Sequence, residues 1–179
     1  MTGSAHTVSA ASCKIILAPF PSPGFSPCAV LPSPPFSSSA VSPPAKTREQ
    51  IALAVAQANE CDYCLAAHTT LGKMAGLSAD QIRDSRRATS VEPKADALIR
   101  FARTVVDTKG RVSNADLQTV REAGFDDGAI AEVVAHVALN VFTNYFNQVA
   151  DTDIDFPKAE PLVDHHDACV TIPGCDPTR

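Results

Sequence analysis

The stretch EQIALAVAQANECDYCLAAH, residues 49–68, decides the fold of this chain. Its first half is an alanine-rich apolar run, and its second half sets Cys61, Cys64 and His68 at intervals of three and four. Residues so spaced on an α-helix are surface neighbours, with Cβ atoms about 5–6 Å apart, so Cys64 and His68 can exchange a proton directly or through one water. Two sulfurs beside a base point to a redox site. The acid of the constellation is Glu49, too far from the thiols along one straight helix. Asn59-Glu60 is a weak helix breaker, and a reversal there predicts a helical hairpin carrying the CxxC pair. Glu49 lies ten residues before the turn and His68 nine after it, so each rises roughly 14–15 Å from the bend and the two face each other. The same turn puts Cys61 at the opening of the second helix, where free amides and the macrodipole favour negative charge. The expectation is that Cys61 ionises readily.

Outward from this stretch the chain reads as consecutive helices. A Thr47-Arg48-Glu49-Gln50 capping box is expected to start the first, with Ile51, Val55 and Ala58 on its apolar stripe. The cysteine helix closes near Gly76, and Ser78 with Gln81 caps a short third helix. Pro93 opens a fourth, whose Ala95, Leu98, Ile99, Ala102, Val105 and Val106 recur at helical spacing until Gly110 offers a left-handed stop. Ser113 begins a fifth helix, ended by Gly124. A last helix over 127–149 is expected to bury Ile130, Val133, Val134, Val137, Val141, Phe142, Tyr145 and Val149. On this reading His136, Asn140 and Asn144 form a polar stripe on the opposite side. Such a stripe is usually solvated or part of a subunit contact, and the amides of Asn140 and Asn144 could alternatively orient a hydroperoxide oxygen. No alternating strand pattern occurs, so the fold class is all-α, a compact helical domain. That separates the motif from a thioredoxin, which needs a strand before its CxxC.

Glu49, Cys61, Cys64 and His68 at these spacings resemble the alkylhydroperoxidase D-like, or carboxymuconolactone decarboxylase-like, proteins. The resemblance runs from about Ser42 to Pro157, and the block HVALNVFTNYFNQVADTDIDFP at 136–157 looks like the closing helix of the peroxidase-related subgroup. It implies a thiol peroxidase with Cys64 as the peroxidatic and Cys61 as the resolving cysteine, and with His68 and Glu49 as the proton relay. It also implies reduction by an external dithiol, lipoyl-bearing or thioredoxin-like, and assembly into trimers or hexamers. Some peroxidases of the family hold a second histidine inside the cysteine pair. Here that position is Tyr63, read as a packing or pocket-wall residue beside the substrate.

Alternatives for the same residues remain open. CDYCLAAH could be two buried small hydrophobes with a satisfied core histidine, or a structural zinc site on Cys61, Cys64 and His68, although zinc normally draws two of its four ligands from a distant element. A lactone-decarboxylase lyase on this fold would use acid/base residues and has no need of a reactive dithiol. A redox-sensing module would carry the same cysteines without turnover. Peroxide reduction needs neither metal nor cofactor, and none is expected.

The chain has 179 residues, which fits one domain, expected over 45–157. Its net charge of −5 argues against binding a phosphate backbone, which needs clustered cations, so no nucleic-acid partner is expected. No apolar run is read as approaching the roughly 20 residues that span a bilayer, and no secretory start is seen. The expected setting is cytoplasmic, off the membrane, where thiols stay reduced and a CxxC is catalytic or metal-binding rather than a staple. Nine of the fourteen prolines crowd residues 19–44, so residues 1–44 are read as a disordered Pro/Ser-rich segment in which Cys13 and Cys28 are incidental. Residues 158–179 are read as a flexible tail. Its His165, His166, Cys169 and Cys175 lack a recognised metal spacing, though a disulfide within the tail is compatible with it. Arg83, Arg86 and Arg87 are expected to form a solvated face.

Overall fold

The computed structural model describes residues 43–162. The expectations for residues 1–42, and for the histidines and cysteines after 162, lie outside the described residues. Within them the chain is all-helical: α1 (Ala45–Ala58), α2 (Asp62–Met74), α3 (Ala79–Arg86), α4 (Pro93–Thr108), α5 (Asn114–Glu122) and α6 (Asp127–Val149).

Helix α1 is the axis of the domain. An alanine-rich helix that is apolar all round belongs in the centre of a bundle. Ile51, Leu53, Ala54, Val55 and Ala56 are fully buried, and α2, α3, α4 and α6 all pack on this helix. The expected capping box at Thr47 does not form. The helix begins earlier, after Pro43-Pro44, and no side chain caps it. Proline supplies the fixed φ that suits a helix start. Thr47 is therefore inside the helix and buried, while Arg48 Nη1 donates to the Pro43 carbonyl at 3.0 Å.

The turn into α2 runs through Glu60, whose φ of 53° is left-handed. For a side-chain-bearing residue this conformation costs about 1–2 kcal/mol. It brings the Cys61 amide onto the Ala56 carbonyl at 3.0 Å and sends α2 back along α1, so that Gly72 stands against Glu49 and Gly76 against Lys46. Helices α3 and α5 start on the capping boxes Ser78/Gln81 and Ser113/Asp116, and Pro93 opens α4 at its first turn. The left-handed stop of α4 falls on Lys109 as well as Gly110. The main core joins α1, α4 and α6 through Leu98, Ile99, Ala102, Val133 and their neighbours.

Helix α6 is rotated relative to the sequence expectation. Ile130, Val133 and Val137 are buried, but the same face continues into Asn140, Thr143, Asn144 and Asn147. Val134, Phe142, Tyr145 and Val149 lie 42, 57, 54 and 89% exposed, and Val141 is half-buried. The polar stripe is inside and much of the apolar stripe is outside. The physical reason is that α6 meets the core along one strip of about 3.6-residue period. That strip is apolar where it crosses α1 and α4, and carboxamide-lined where it reaches the cysteines. Helix α6 is also, by length and composition, long and apolar enough to cross a bilayer, contrary to the expectation that no run is. In the fold its amide face is buried against the domain.

Arg86 likewise departs from the solvated face assigned to it. It is 6% exposed, with Nε donating to Gln57 Oε1 at 2.8 Å and Nη1 to the Glu160 carbonyl at 2.6 Å. The chain beyond α6 has no helix or strand over 151–162, yet it packs on the domain: Ile154, Phe156 and Ala159 lie against the cluster formed by Cys61, Tyr63, Cys64 and Leu65.

Candidate functional site

Cys61 ends its turn as the N-cap of α2, in extended geometry, and its sulfur accepts the Cys64 amide at 3.4 Å. One helical turn then returns Cys64 to the same side, so the two sulfurs stand 2.7 Å apart with Cys61 donating. Both are free thiols and nearly inaccessible, at 1% and 4% exposed. The cap position was expected to ionise Cys61. The structure reverses this. The Cys61 thiol is pushed strongly upward, first because its proton serves the Cys64 sulfur and then by burial. Cys64 is lowered to about 6 by the bond from Cys61, by the amides of Asn147 and Asn144, and by the charge of His68, all acting against burial. When two thiols share one proton, the sulfur that receives the other donors becomes the anion.

Those donors come from α6. Asn147 Nδ2 points at Cys64 Sγ from 3.4 Å, and its oxygen accepts the Thr152 hydroxyl at 3.2 Å. Asn144 is completely buried, and its oxygen accepts from Asn59 Nδ2 at 2.9 Å. Its own Nδ2 has no hydrogen-bond partner, but the amide still acts on the Cys64 sulfur. The turn and the helix are further tied by Gln148 Nε2, which donates to the Asn59 carbonyl at 2.7 Å.

Glu49 and His68 meet across α1 and α2, with Nδ1 2.8 Å from Oε2 and side chains 15% and 12% exposed. His68 lies one turn beyond Cys64. The four residues Glu49, Cys61, Cys64 and His68 are thus gathered at one junction. Of the candidate substrate contacts, Tyr63 and Asn144 border the sulfurs. Tyr63 is buried and packs edge-to-face on Phe156, ring centroids 5.8 Å apart. Asn140 instead spends its NH2 on the His136 carbonyl of its own helix at 2.8 Å. His136 sits 3.7 Å from Glu132, with burial holding it below the ordinary imidazole range; it is two turns from Asn144 along α6. Asn147, Asn59 and Thr152 were not picked out from the sequence. The i, i+4, i+7 run through 140, 144 and 147 was the available signal. Among the described residues no three His, Cys, Asp or Glu side chains converge to hold a metal ion.

A cavity of about 380 Å³ opens beside this junction, bordered by Asp62, Leu65, Arg86, Ile154 and Lys158. Tyr63, Ile154, Phe156 and Ala159 form an apolar cover over the sulfur pair.

The sequence profile of the carboxymuconolactone decarboxylase family matches residues 40–108. No curated protein matches the chain. Among solved structures, the domain is similar to the alkylhydroperoxidase AhpD core of an uncharacterized peroxidase-related protein from Ralstonia eutropha JMP134. The two share 27% identity over 64% of this chain and 60% of that one, with a TM-score of 0.53. A peroxidase-related protein from Silicibacter sp. TM1040 is 25% identical over 64% of this chain and 59% of its own, with a TM-score of 0.51. The debrominase Bmp8, solved in complex with 2,3,4-tribromopyrrole, shares the fold at a TM-score of 0.57 and 17% identity, over 65% of this chain and 64% of that one. The chain spans about three fifths of the length of these proteins. Residues 40–108 are thus similar to the carboxymuconolactone decarboxylase family, and the helical domain built on them has an AhpD-like fold.

Proposed function

We propose that the chain is a thiol-dependent peroxidase that reduces hydroperoxides through a Cys61–Cys64 dithiol/disulfide cycle, with His68 and Glu49 handling the protons. One observation carries the reading: the Cys64 thiol is lowered to about 6 while a second, protonated thiol stands 2.7 Å away. At neutral pH this pair holds one nucleophilic thiolate and one reserve thiol, the division of labour a peroxidatic and a resolving cysteine need.

The Cys64 thiolate attacks the terminal oxygen of ROOH. An S–O bond forms, the O–O bond breaks, and the leaving alkoxide takes a proton through His68, which Glu49 orients, to depart as ROH. The Cys64 sulfur is oxidised to sulfenic acid, which no longer draws the Cys61 proton as a thiolate did. Cys61 then attacks that sulfur. The S–S bond forms, the S–O bond breaks, and the Cys61 proton leaves with the hydroxyl as water. Two electrons from an external dithiol, on a lipoyl-bearing or thioredoxin-like protein, reopen the disulfide. These steps call on no metal or cofactor, and they suit a reducing, cytoplasmic setting. A lactone-decarboxylase reaction would leave the tuned sulfur pair without a use.

The test is consumption of cumene hydroperoxide by the purified chain with dihydrolipoamide as donor. The native protein is expected to turn over, and Cys64→Ser to lose at least about a hundredfold of the rate, as nucleophile removal does. Cys61→Ser is expected to stop after one turnover with a sulfenic acid that dimedone traps. Native-rate turnover in Cys64→Ser would overturn the reading.

A further inference from the structure

The carboxamides of Asn144 and Asn147 can each turn either edge toward the sulfur. An oxygen edge there would repel a thiolate, and an NH2 edge would stabilise it. In each case a second residue holds the oxygen on the far side. Asn59, at the end of α1, donates to Asn144 Oδ1, and Thr152, just past the end of α6, donates to Asn147 Oδ1. Asn144 and Asn147 are 0% and 3% exposed, so water does not compete for these edges, and Asn144 Nδ2 has no hydrogen-bond partner of its own.

We infer that Asn59 and Thr152 are positioning residues of the thiol site: by occupying two carboxamide oxygens they fix which edge each amide presents, holding the Asn147 NH2 on Cys64 and the Asn144 NH2 on the side away from Asn59, so the segment after α6 governs the reactivity of a cysteine on α2. The titratable groups acting on Cys64 are Cys61, hydrogen-bonded to it, and His68 through its charge, both on the α2 side. Glu49 of α1 stands behind His68. From α6 come Asn144 and Asn147, which carry no charge and whose whole effect depends on which edge they present. Because Thr152 leads into the stretch whose Ile154 and Phe156 cover the sulfurs, the residue that orients Asn147 also starts that cover.

The inference deepens the peroxidase reading, yet its test uses no peroxide, so either can fail alone. The reduced full chain is alkylated with iodoacetamide from about pH 4 to 9, and modification of Cys64 is followed by tandem mass spectrometry of its peptide. The native midpoint is expected near 6. Thr152→Val, which keeps the shape and removes the hydroxyl, is expected to raise the midpoint by about one unit, a tenfold loss of thiolate on the acid side. Asn59→Ala is expected to do the same, and Thr152→Ser to restore the native midpoint. Unchanged midpoints in Thr152→Val and Asn59→Ala would overturn the inference. So would equal shifts in Thr152→Val and Thr152→Ser, which would trace the effect to packing.

Discussion

Cys64 gains its anion from its neighbours rather than from its place in the helix, and its pH dependence follows. Because the folded site lowers its pKa, the thiolate persists above about 6 and is lost as pH falls through that value. Stopped-flow oxidation of the reduced protein by peroxide should therefore rise with pH to a half-maximum near 6 and flatten at higher pH. Glu49→Gln keeps a hydrogen-bonding group beside His68 Nδ1 but removes the carboxylate that orients the ring. Turnover at pH 7 should fall by about ten- to a hundredfold, less than the roughly 10²–10⁴-fold of a general acid itself because Glu49 acts through His68, with the Cys64 alkylation midpoint moving much less. Glu49, Cys61, Cys64 and His68 could be read from the sequence because helix periodicity and one turn fix their meeting. The ranking of the two thiols could not be read from helix geometry, although the resemblance implied Cys64 as the peroxidatic one. Cap position alone pointed to Cys61, and the deciding donors, Asn144 and Asn147, come from a helix whose rotation only packing sets.

Helix existence was legible throughout, because Ser78, Pro93, Ser113 and the glycines at 76, 110 and 124 mark their boundaries with local chemistry. The orientation of α6 was not, since two stripes compete on it and the apolar one is buried only in its first half, with Phe142, Tyr145 and Val149 left outside. The helix is held by fewer, deeper contacts through Ile130, Val133 and Val137. At the centre, Leu98 is fully buried in α4, and Leu98→Ala should cost about 2–5 kcal/mol in urea unfolding, from lost burial plus the cavity left behind. The segment over 151–162 acts as a cover, so its removal should discriminate by size. Phe156→Ala takes away the ring packed on Tyr63. A bulky aromatic disulfide reagent should then modify Cys64 several-fold faster, while iodoacetamide changes little; equal acceleration of both reagents would count against a steric cover.

Over the whole molecule, the exposed Phe142, Tyr145 and Val149 form an apolar strip along the outer side of α6. Contiguous exposed apolar surface of this kind marks an interaction site. We propose that copies of the chain assemble through it into a trimer or hexamer. Light scattering on the eluting protein should report that mass, and Phe142→Asp with Tyr145→Lys should reduce it to one chain; a native monomer would refute the proposal. The account as a whole rests on the two buried sulfurs forming one redox unit. The direct measurement is to add one equivalent of hydroperoxide to the reduced protein, count free thiols, and map the linked residues by mass spectrometry. Two thiols should disappear per chain, joined as Cys61–Cys64. Both cysteines remaining reduced, or oxidation appearing at other cysteines instead, would contradict it.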